Sequence, residues 1–240
     1  MSDLIIKDIV CNYKKRVIIN NISLSVRAGE IIGLLGPNGS GKTTIFYNIM
    51  GLQHPDSGKI TVSGKDISRK PLYLRSKYGI SYLPQESSLF PDLTVEKNIL
   101  IALELLKISK EDREAKLQQL LTEFSIEKLR SSLAISLSGG ERRRVEIARS
   151  IACNPKFVLF DEPFAGVDPL AIGEISDLIK RLKDRGIAVL LTDHNVSNTL
   201  KIVDRAYIIF DGKLLTHGVP DEIVANKDVK KYYLGKSFKI

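Results

Sequence analysis

A short glycine-rich segment, GPNGSGKTT, has the residue types and the spacing that bind phosphate. Gly36 and Gly41 are separated by four residues, and Lys42 and Thr43 follow directly. Glycines allow successive backbone N–H groups to turn inward around phosphate oxygens, and a helix beginning here would direct its positive end at the anion. A glycine-rich turn that binds nothing is the alternative. The residues predicted to bind the nucleotide are Gly36, Pro37, Asn38, Gly39, Ser40, Gly41, Lys42, Thr43 and Thr44.

Two carboxylates form the next candidate group. Asp161 and Glu162 directly follow the apolar run FVLF, which comes after Lys156. Acids at the carboxyl end of a strand in an open α/β sheet lie where ligands bind. Lys42 is predicted to bridge the β- and γ-phosphates of ATP, while the Thr43 hydroxyl and Asp161 hold Mg²⁺. Glu162 is predicted to act as the general base toward an attacking water. A pair of solvated loop acids is the alternative.

Three further side chains have weaker individual signals. His194 follows the apolar run GIAVLL and could donate to the γ-phosphate, although a lone surface histidine is the ordinary alternative. Gln85 follows GISYLP and could touch Mg²⁺ or water, and the residues alone leave a structural role open. Tyr13 could stack on a base, with a core or surface aromatic as the alternative.

The positions of the apolar runs indicate the elements that hold these residues. IIGLL, FVLF and IAVLL are short and continuously apolar, which is typical of buried strands in a parallel sheet. The alternating, β-branched stretch before about Gly29 predicts short antiparallel strands. IIFDGKLL predicts a hairpin with an Asp-Gly turn, and PDEIV predicts a short helix. The pattern from about Glu86 to Cys153 is helical, with a capping box at Ser109 and Asp112 and one apolar face formed by Leu117, Leu120, Leu121 and Phe124.

The order of these pieces resembles the nucleotide-binding subunits of ABC transporters over nearly the whole chain. The resemblance implies an α/β fold: a P-loop NTPase core with an N-terminal antiparallel β subdomain and an inserted α-helical subdomain. It implies one domain over 1–240, with the core and β subdomain in 1–85 and 154–240 and the helical subdomain in 86–153. The segments that carry the resemblance are Tyr13, Gly36–Thr43, Gln85, LSGGE at Leu137–Glu141, VLFDE at Val158–Glu162, GVD at Gly166–Asp168 and His194.

In this family two subunits pack head-to-tail, and the resemblance therefore implies a homodimer in the ATP-bound state. Ser138, Gly139 and Gly140 would meet the γ-phosphate held by the opposite subunit, where glycines permit close approach and the following helix directs its dipole at the anion. Asp168 would cross the dimer seam, and it could equally be the N-cap of a helix with Pro169 at the first position. The resemblance adds Gln85 to the predicted metal ligands. It leaves the arginines of the segment 142–144 as a solvated or partner-facing helix surface.

Longer matches narrow the resemblance. LSGGERRRVEIAR, EPFAGVDP, TDHNV, YLPQESSLF and the ending YYLGKSF are similar to the ATPases of lipopolysaccharide export systems in Gram-negative bacteria. The ATPase of a branched-chain amino-acid importer, which shares the YLG type of ending, is the alternative. Either resemblance implies integral membrane permease subunits as partners, and a location on the cytoplasmic face of the inner membrane, reached through those partners.

Composition sets the outer bounds. The chain has 240 residues and a formal net charge of +8, and its spread of basic residues favours a solvated surface, with membrane proximity second and no nucleic-acid partner. The start lacks the pattern of a signal peptide, and the apolar runs are shorter than the roughly 20 residues that span a bilayer. We therefore expect a soluble chain. Cys11 and Cys153 have neither metal-ligand nor disulfide spacing and are expected to be packing residues.

Overall fold

Two β-sheets form the frame of the protein in a computed structural model, which describes residues 3–14, 16–235 and 238. A four-stranded antiparallel sheet has the order β2-β1-β4-β5, and a six-stranded sheet has the order β10-β9-β3-β8-β7-β6. The strands are β1 (Asp3–Tyr13), β2 (Arg16–Arg27), β3 (Ile31–Leu35), β4 (Ser57–Val62), β5 (Lys65–Asp66), β6 (Ile80–Leu83), β7 (Phe157–Asp161), β8 (Ala188–Thr192), β9 (Arg205–Phe210) and β10 (Lys213–Gly218).

Helices cover both faces of the larger sheet and build the separate helical region. They are α1 (Lys42–Met50), α2 (Leu72–Arg75), α3 (Val95–Leu103), α4 (Lys110–Glu123), α5 (Gly139–Ile151), α6 (Pro169–Asp184), α7 (Val196–Leu200), α8 (Pro220–Ala225) and α9 (Lys227–Val229). Short 3₁₀ turns lie at Ser76–Tyr78, Glu127–Leu129 and Ala134–Ser136, and one π turn lies at Lys230–Leu234. No helix among these described residues is long and apolar enough to cross a membrane.

The parallel strands at the centre of the larger sheet are buried along their whole length. Every residue of β3, β7 and β8 is buried, which explains their uninterrupted apolar runs. The pairs β3–β8, β8–β7, β7–β6 and β3–β9 are all parallel, and only β10 runs antiparallel to its neighbour. All five parallel strands therefore present their carboxyl ends at the same edge, which is where the candidate residues lie.

The apolar core has two parts, one on each side of the larger sheet. One part packs β1, β2, β4 and α1 against the sheet, and the other packs the sheet against α3, α4, α5 and α6. Burying an aliphatic or aromatic side chain of this size contributes about 1.5–3 kcal/mol. The predicted apolar face of α4 faces the second part, with Leu117, Leu120, Leu121 and Phe124 all buried.

Local predictions from turn and cap chemistry are confirmed. Asp211 and Gly212 both have positive φ, at 46° and 69°, between β9 and β10, as a type I′ hairpin turn requires. Ser109 caps α4, its side chain accepting from the Asp112 N–H at 3.0 Å. The α/β fold, with its antiparallel β subdomain and helical region, is also as predicted.

Two local expectations are wrong. The N-terminal strands are long rather than short, because bulges at three points let β1 and β2 bend while staying paired over 11 and 12 residues. Cys153 is exposed, since it lies just beyond the end of α5, whereas Cys11 is buried as expected. The basic residue Lys15 and the Lys236 and Ser237 of the ending YYLGKSF lie outside the described residues.

Candidate functional site

The glycines of the segment after β3 are required by its backbone path. Gly36, Gly39 and Gly41 have φ of 148°, 76° and 109°, values that side-chain-bearing residues rarely adopt. A Cβ at Gly36 would collide with the backbone oxygen of Ile209. The loop therefore has the curved backbone path that a phosphate cradle needs, closed against β9 on one side.

The lysine of this loop is folded back on its own backbone. Lys42 is buried, and its Nζ donates to the carbonyl oxygens of Gly36 at 2.8 Å and Pro37 at 2.9 Å. Burial lowers the pKa of Lys42, and the nearby carboxylates of Glu162 and Asp161 act in the opposite direction. The Lys42 ammonium group already lies inside the loop, so an incoming phosphate could replace the Gly36 and Pro37 carbonyls as its hydrogen-bond acceptor.

A buried hydroxyl supports the fit of an anion to this loop. The Oγ atom of Ser40 is buried and has no hydrogen-bond partner within the described part of the chain. Leaving a buried polar group without a hydrogen bond costs free energy. A phosphate oxygen bound in the loop could supply the partner that the Ser40 hydroxyl lacks. Thr43 is exposed and Thr44 half-buried at the start of α1, where both face the same cleft.

The strand order brings the predicted catalytic residues together. The cradle follows β3, His194 follows β8, and Gln85 follows β6, while Asp161 ends β7 and Glu162 comes directly after it. These four strands are consecutive neighbours in the sheet. Residues that are distant in the chain thus meet at one edge, as ligand sites of open parallel sheets do.

Glu162 is held at both carboxylate oxygens by the other two predicted catalytic residues. Nε2 of Gln85 donates to Oε2 at 2.7 Å, and Nε2 of His194 lies 2.6 Å from Oε1. Burial raises the pKa of Glu162, a change that His194 opposes and Asp161 reinforces. A carboxylate with a raised pKa is better matched to taking a proton near neutral pH.

The backbone at Glu162 is strained. Its φ is 52°, a left-handed value that costs a residue with a side chain of order 1 kcal/mol or more and that clusters at functional sites. The strain directs the carboxylate away from the line of β7, toward Gln85 and His194.

Asp161 is held by two hydroxyl groups that the sequence did not single out. Oγ1 of Thr192 donates to Oδ1 at 2.9 Å, and the Tyr82 hydroxyl donates to Oδ2 at 3.2 Å. Thr192 is the last residue of β8 and Tyr82 lies in β6, the two strands that flank β7. Both oxygens retain a free lone pair, so the carboxylate is oriented but still able to accept.

The cleft formed by these elements has a volume of about 470 Å³. Arg16 and Ile18, at the start of β2, line it although neither was predicted as a site residue. Arg16, like the other basic residues, was expected on a solvated surface, and its position three residues after Tyr13 is the signal that could have identified it. The lining residues are Arg16, Ile18, Asn38, Gly39, Gly41, Lys42, Thr43, Thr44, Gln85, Asp161, Glu162, Thr192 and His194.

Tyr13 lies at the end of β1 as the register partner of Arg16. Its side chain is 64% exposed, with the Lys14 ammonium 5.7 Å from the ring centre. Tyr13 is not among the residues that line the cleft, but its register partner Arg16 is, and the exposed ring can stack on a planar group.

The oxygen donors near the cradle suit a magnesium ion that arrives with phosphate. Among the described residues, no three acidic, histidine or cysteine side chains converge to hold a metal by themselves. Mg²⁺ in nucleotide sites is bound by one or two carboxylates together with phosphate and water oxygens. Asp161 provides one such carboxylate, and the Thr43 hydroxyl and the Gln85 side-chain oxygen are two further oxygen donors in the same cleft.

A second surface has the exposed residues Ser138, Gly139 and Asp168, with the buried Gly140 beside Asp168, and none of these four residues lines the cleft. Ser138 caps α5 through a capping box with Glu141. A Cβ at Gly139 would lie 2.6 Å from the Gly166 oxygen, and a Cβ at Gly140 would lie 2.8 Å from the Ala171 side chain. The paired glycines are therefore needed within one chain, for packing of α5 on the start of α6.

Asp168 has the N-cap role that was one of its two predicted roles. Its carboxylate accepts from the Leu170 N–H at 3.1 Å and the Ala171 N–H at 3.0 Å, and Pro169 occupies the first turn. The carboxylate is exposed in this chain.

Arg143 corrects the prediction that its helix segment is a solvated surface. It is 4% exposed and donates to the Glu162 oxygen at 2.6 Å and the Pro163 oxygen at 2.9 Å. Arg143 is buried because residues three and four apart lie on the same side of a helix, and Gly140, Arg143 and Ile147 share the buried face of α5. Its neighbours Arg142 and Arg144 are only half-buried.

The chain is similar to known proteins in both sequence and structure. The ABC transporter family model matches residues 19–165. The lipopolysaccharide export system ATP-binding protein LptB of Escherichia coli K12 is 50% identical over 241 residues, spanning 100% of both chains. An uncharacterized ABC transporter ATP-binding protein of Rhizobium meliloti is 53% identical over 237 residues, which are 99% of this chain and 88% of the relative.

The solved structures similar to this chain are also ATP-binding cassettes. An ATP-binding cassette of an ABC transporter in its ADP conformation superposes with a TM-score of 0.88 at 28% identity, over 98% of this chain and 100% of the other. A dimeric cassette in a post-hydrolysis state with ADP and Pi gives 0.80 at 26% identity, over 90% of this chain and 98% of the other. The phosphate-binding loop, the strand-end carboxylates and these similarities together show that the chain belongs to the ABC transporter family.

Proposed function

We propose that this protein is the ATP-hydrolysing subunit of a lipopolysaccharide export system. Hydrolysis is supported above all by one observation, the Glu162 carboxylate held between Gln85 and His194 at the edge of a phosphate cradle. The cargo is supported by relatives named as lipopolysaccharide export ATP-binding proteins at 48–50% identity over the full chain.

The predicted site residues have distinct parts in the proposed reaction. The loop backbone and Lys42 bind the β- and γ-phosphates, which stabilises the charge that develops during transfer. Glu162 accepts a proton from the attacking water, and Gln85 and His194 orient that water and the γ-phosphate. Tyr13 stacks on the adenine ring. Thr43, Asp161 and Gln85 hold Mg²⁺, which supplies charge neutralisation at the phosphates when bound.

The second surface is proposed to complete the site of a partner copy. Ser138 and the N–H groups that open α5 form a helix amino terminus, which attracts phosphate. They lie outside the cleft of their own chain, so two copies arranged head-to-tail would give each cleft a second wall. The dimeric post-hydrolysis cassette is a structural relative in keeping with this arrangement. Asp168 would then face the seam.

The whole chain is proposed to act as one cassette, with 1–85 and 154–240 as core and β subdomain and 86–153 as helical subdomain. The helical subdomain would contact integral membrane permease subunits on the cytoplasmic face of the inner membrane. The ATPase reaches the membrane only through those partners, and no nucleic acid takes part.

Co-purification and reconstitution test the cargo. Tagged protein purified from detergent-solubilised membranes should bring down integral membrane subunits. Vesicles containing that complex should release lipopolysaccharide to an acceptor only with ATP, and the Glu162→Gln complex should not. Membrane partners that instead move branched-chain amino acids with ATP would overturn the export assignment and leave the ATPase assignment standing.

A further inference from the structure

Asp193 is a buried carboxylate that the proposed reaction does not use. It is 5% exposed and lies between the residue that ends β8 and His194. Burial raises its pKa, while the N–H groups of Asn195 and Phe164 act in the opposite direction. Burying a carboxylate without a direct ion-pair partner is costly, so its contacts point to the reason for its presence.

The two oxygens of Asp193 join two separate turns. Oδ1 accepts from the Asn195 N–H at 2.7 Å, just beyond His194. Oδ2 accepts from the Phe164 N–H at 3.0 Å, two residues beyond Glu162. One side chain therefore connects the turn that carries the histidine to the turn that carries the glutamate.

Every backbone N–H and carbonyl group of residues 162–164 has a hydrogen-bond partner. The Glu162 N–H donates to the Thr192 oxygen at 2.9 Å, and the Glu162 and Pro163 oxygens both accept from Arg143. The Phe164 N–H has Asp193 as its side-chain partner. Such complete bonding is what a strained φ at Glu162 requires, because strain persists only where the surroundings over-determine the conformation.

On the other turn, Asp193 fixes the backbone on which His194 stands. The Asn195 N–H is bonded to Asp193, the Val196 N–H donates to the His194 oxygen at 3.0 Å, and Asn195 in turn caps α7. The His194 ring is half-exposed, at 53% of its side chain, so few packing contacts hold it. Besides its 2.6 Å contact with Glu162, the position of Nε2 therefore depends on the backbone that carries the ring.

We propose that Asp193 is a positioning residue for hydrolysis, which sets the distance between the His194 imidazole and the Glu162 carboxylate by bridging their two turns. The inference rests on the roles proposed above for these two residues. It predicts that loss of the bridge impairs the chemical step and leaves nucleotide binding intact, because the phosphate cradle is made by a different loop.

The test is Asp193→Asn, which removes one of the two acceptors and presents an amide N–H₂ in its place. We expect kcat for ATP to fall roughly 10- to 100-fold, as small misplacements of reacting groups do. The dissociation constant for a fluorescent ATP analogue should stay within about two-fold, since binding and chemistry are separable. Asp193→Ser, which keeps a short acceptor for Asn195, is the second variant if Asp193→Asn does not fold.

A spectroscopic readout distinguishes positioning from general loss of structure. The chain has three histidines, His54, His194 and His217, so their imidazole ¹H–¹⁵N signals are separable. Asp193→Asn should shift the His194 signals and leave those of His54 and His217 in place.

Asp204→Asn is the matched control. Asp204 also accepts a backbone N–H from a neighbouring strand, that of Ile31 at 2.9 Å, at the opposite edge of the sheet. It should lower stability while leaving kcat and the His194 signals unchanged.

The outcomes are separable. Wild-type kcat in Asp193→Asn, or a kcat loss without any change at His194, would overturn the positioning role. A parallel loss of ATP affinity would also overturn it. Glu162→Gln is measured beside these variants: if that protein still turns over, the proposed hydrolytic site is wrong, whereas an inactive Glu162→Gln with a fully active Asp193→Asn refutes only this inference.

Discussion

Nη2 of Arg143 donates a 2.6 Å hydrogen bond to the backbone oxygen of Glu162. The helix that begins with the paired glycines is thereby bonded, in the same chain, to the proposed catalytic base. Arg143 also donates to Glu146 at 3.0 Å, and Glu146 accepts from the Ser87 hydroxyl at 2.7 Å. Three segments, α5, the turn after β7 and the loop after Gln85, therefore share one buried charged network.

Arg143→Ala is expected to destabilise the protein strongly. Removing one member of a buried ion pair leaves Glu146 uncompensated, a loss of about 3–5 kcal/mol. Arg142→Ala is the matched control, because Arg142 is half-buried and its side chain bonds only to the Leu137 oxygen within the described residues. Urea unfolding measures both variants, and equal losses would contradict the assigned burial.

Glu162→Gln should retain ATP binding and lose nearly all hydrolysis, since an amide cannot accept a proton from water. The ATP-bound dimer should then accumulate and be visible by size-exclusion chromatography with light scattering. Turnover at the wild-type rate in this variant would remove Glu162 from the role of base.

The pH dependence of hydrolysis follows from the raised pKa of Glu162. Only the deprotonated carboxylate can act as a base. The kcat should therefore fall as the pH is lowered through the raised pKa of Glu162. The fall should begin at a higher pH than the ordinary glutamate value. Initial rates at saturating ATP, within the pH range over which circular dichroism is unchanged, provide the measurement. A kcat that rises on acidification would contradict the assignment.

Gly139→Ala should lower the folding stability of the single chain, independently of dimer formation. The new methyl group would lie 2.6 Å from the Gly166 oxygen, and overpacking of this kind is worth typically 1–3 kcal/mol of lost stability. Gly173→Ala is the control, because it lies in α6 with nothing within 4 Å of its added Cβ. The control should gain up to about 1 kcal/mol from helix propensity, and thermal unfolding distinguishes the two directions.

A mixture of variants tests whether Ser138 acts on a neighbour's nucleotide. Lys42→Ala and Ser138→Arg should each be inactive alone. Their heterodimer would contain one intact composite site and one doubly damaged site, so mixing should restore ATP hydrolysis. If mixing restores none, independent composite sites are excluded, and only sites that require each other remain compatible with the dimer.

Phe90→Ala tests the proposed contact with the permease subunits. The ring is 50% exposed, while the Phe90 N–H and oxygen are both bonded to the buried Asn98. A fixed backbone that presents an exposed aromatic side chain suits an interface anchor, which can be worth about 2 kcal/mol or more. ATP hydrolysis by the isolated subunit should persist while association with the permease weakens. Ile5→Ala, which removes an exposed apolar side chain from β1 in the antiparallel sheet, should change neither ATP hydrolysis nor permease association.

The residues of local motifs could be predicted from the sequence because their chemistry is local. The spacing from Gly36 to Thr43 defines a backbone path of consecutive residues, and apolar runs that end in Asp161–Glu162 or lead to His194 define strand ends. Parallel strands then bring those ends to one edge whatever the details of packing. The caps at Ser109 and Asp168 are local in the same sense, since each involves residues within three positions.

Tertiary structure alone decided which charged and polar side chains are buried. Helical period places Arg143 on one face of α5 with Gly140 and Ile147. It does not show that this face packs on the turn after β7, because that depends on the rotation of α5 against a strand formed later in the chain. The same holds for Tyr82, Thr192 and Asp193, whose partners are 29 to 79 residues away. Side-chain partners at such separations are determined by how elements pack, and a single sequence carries no local pattern for that packing.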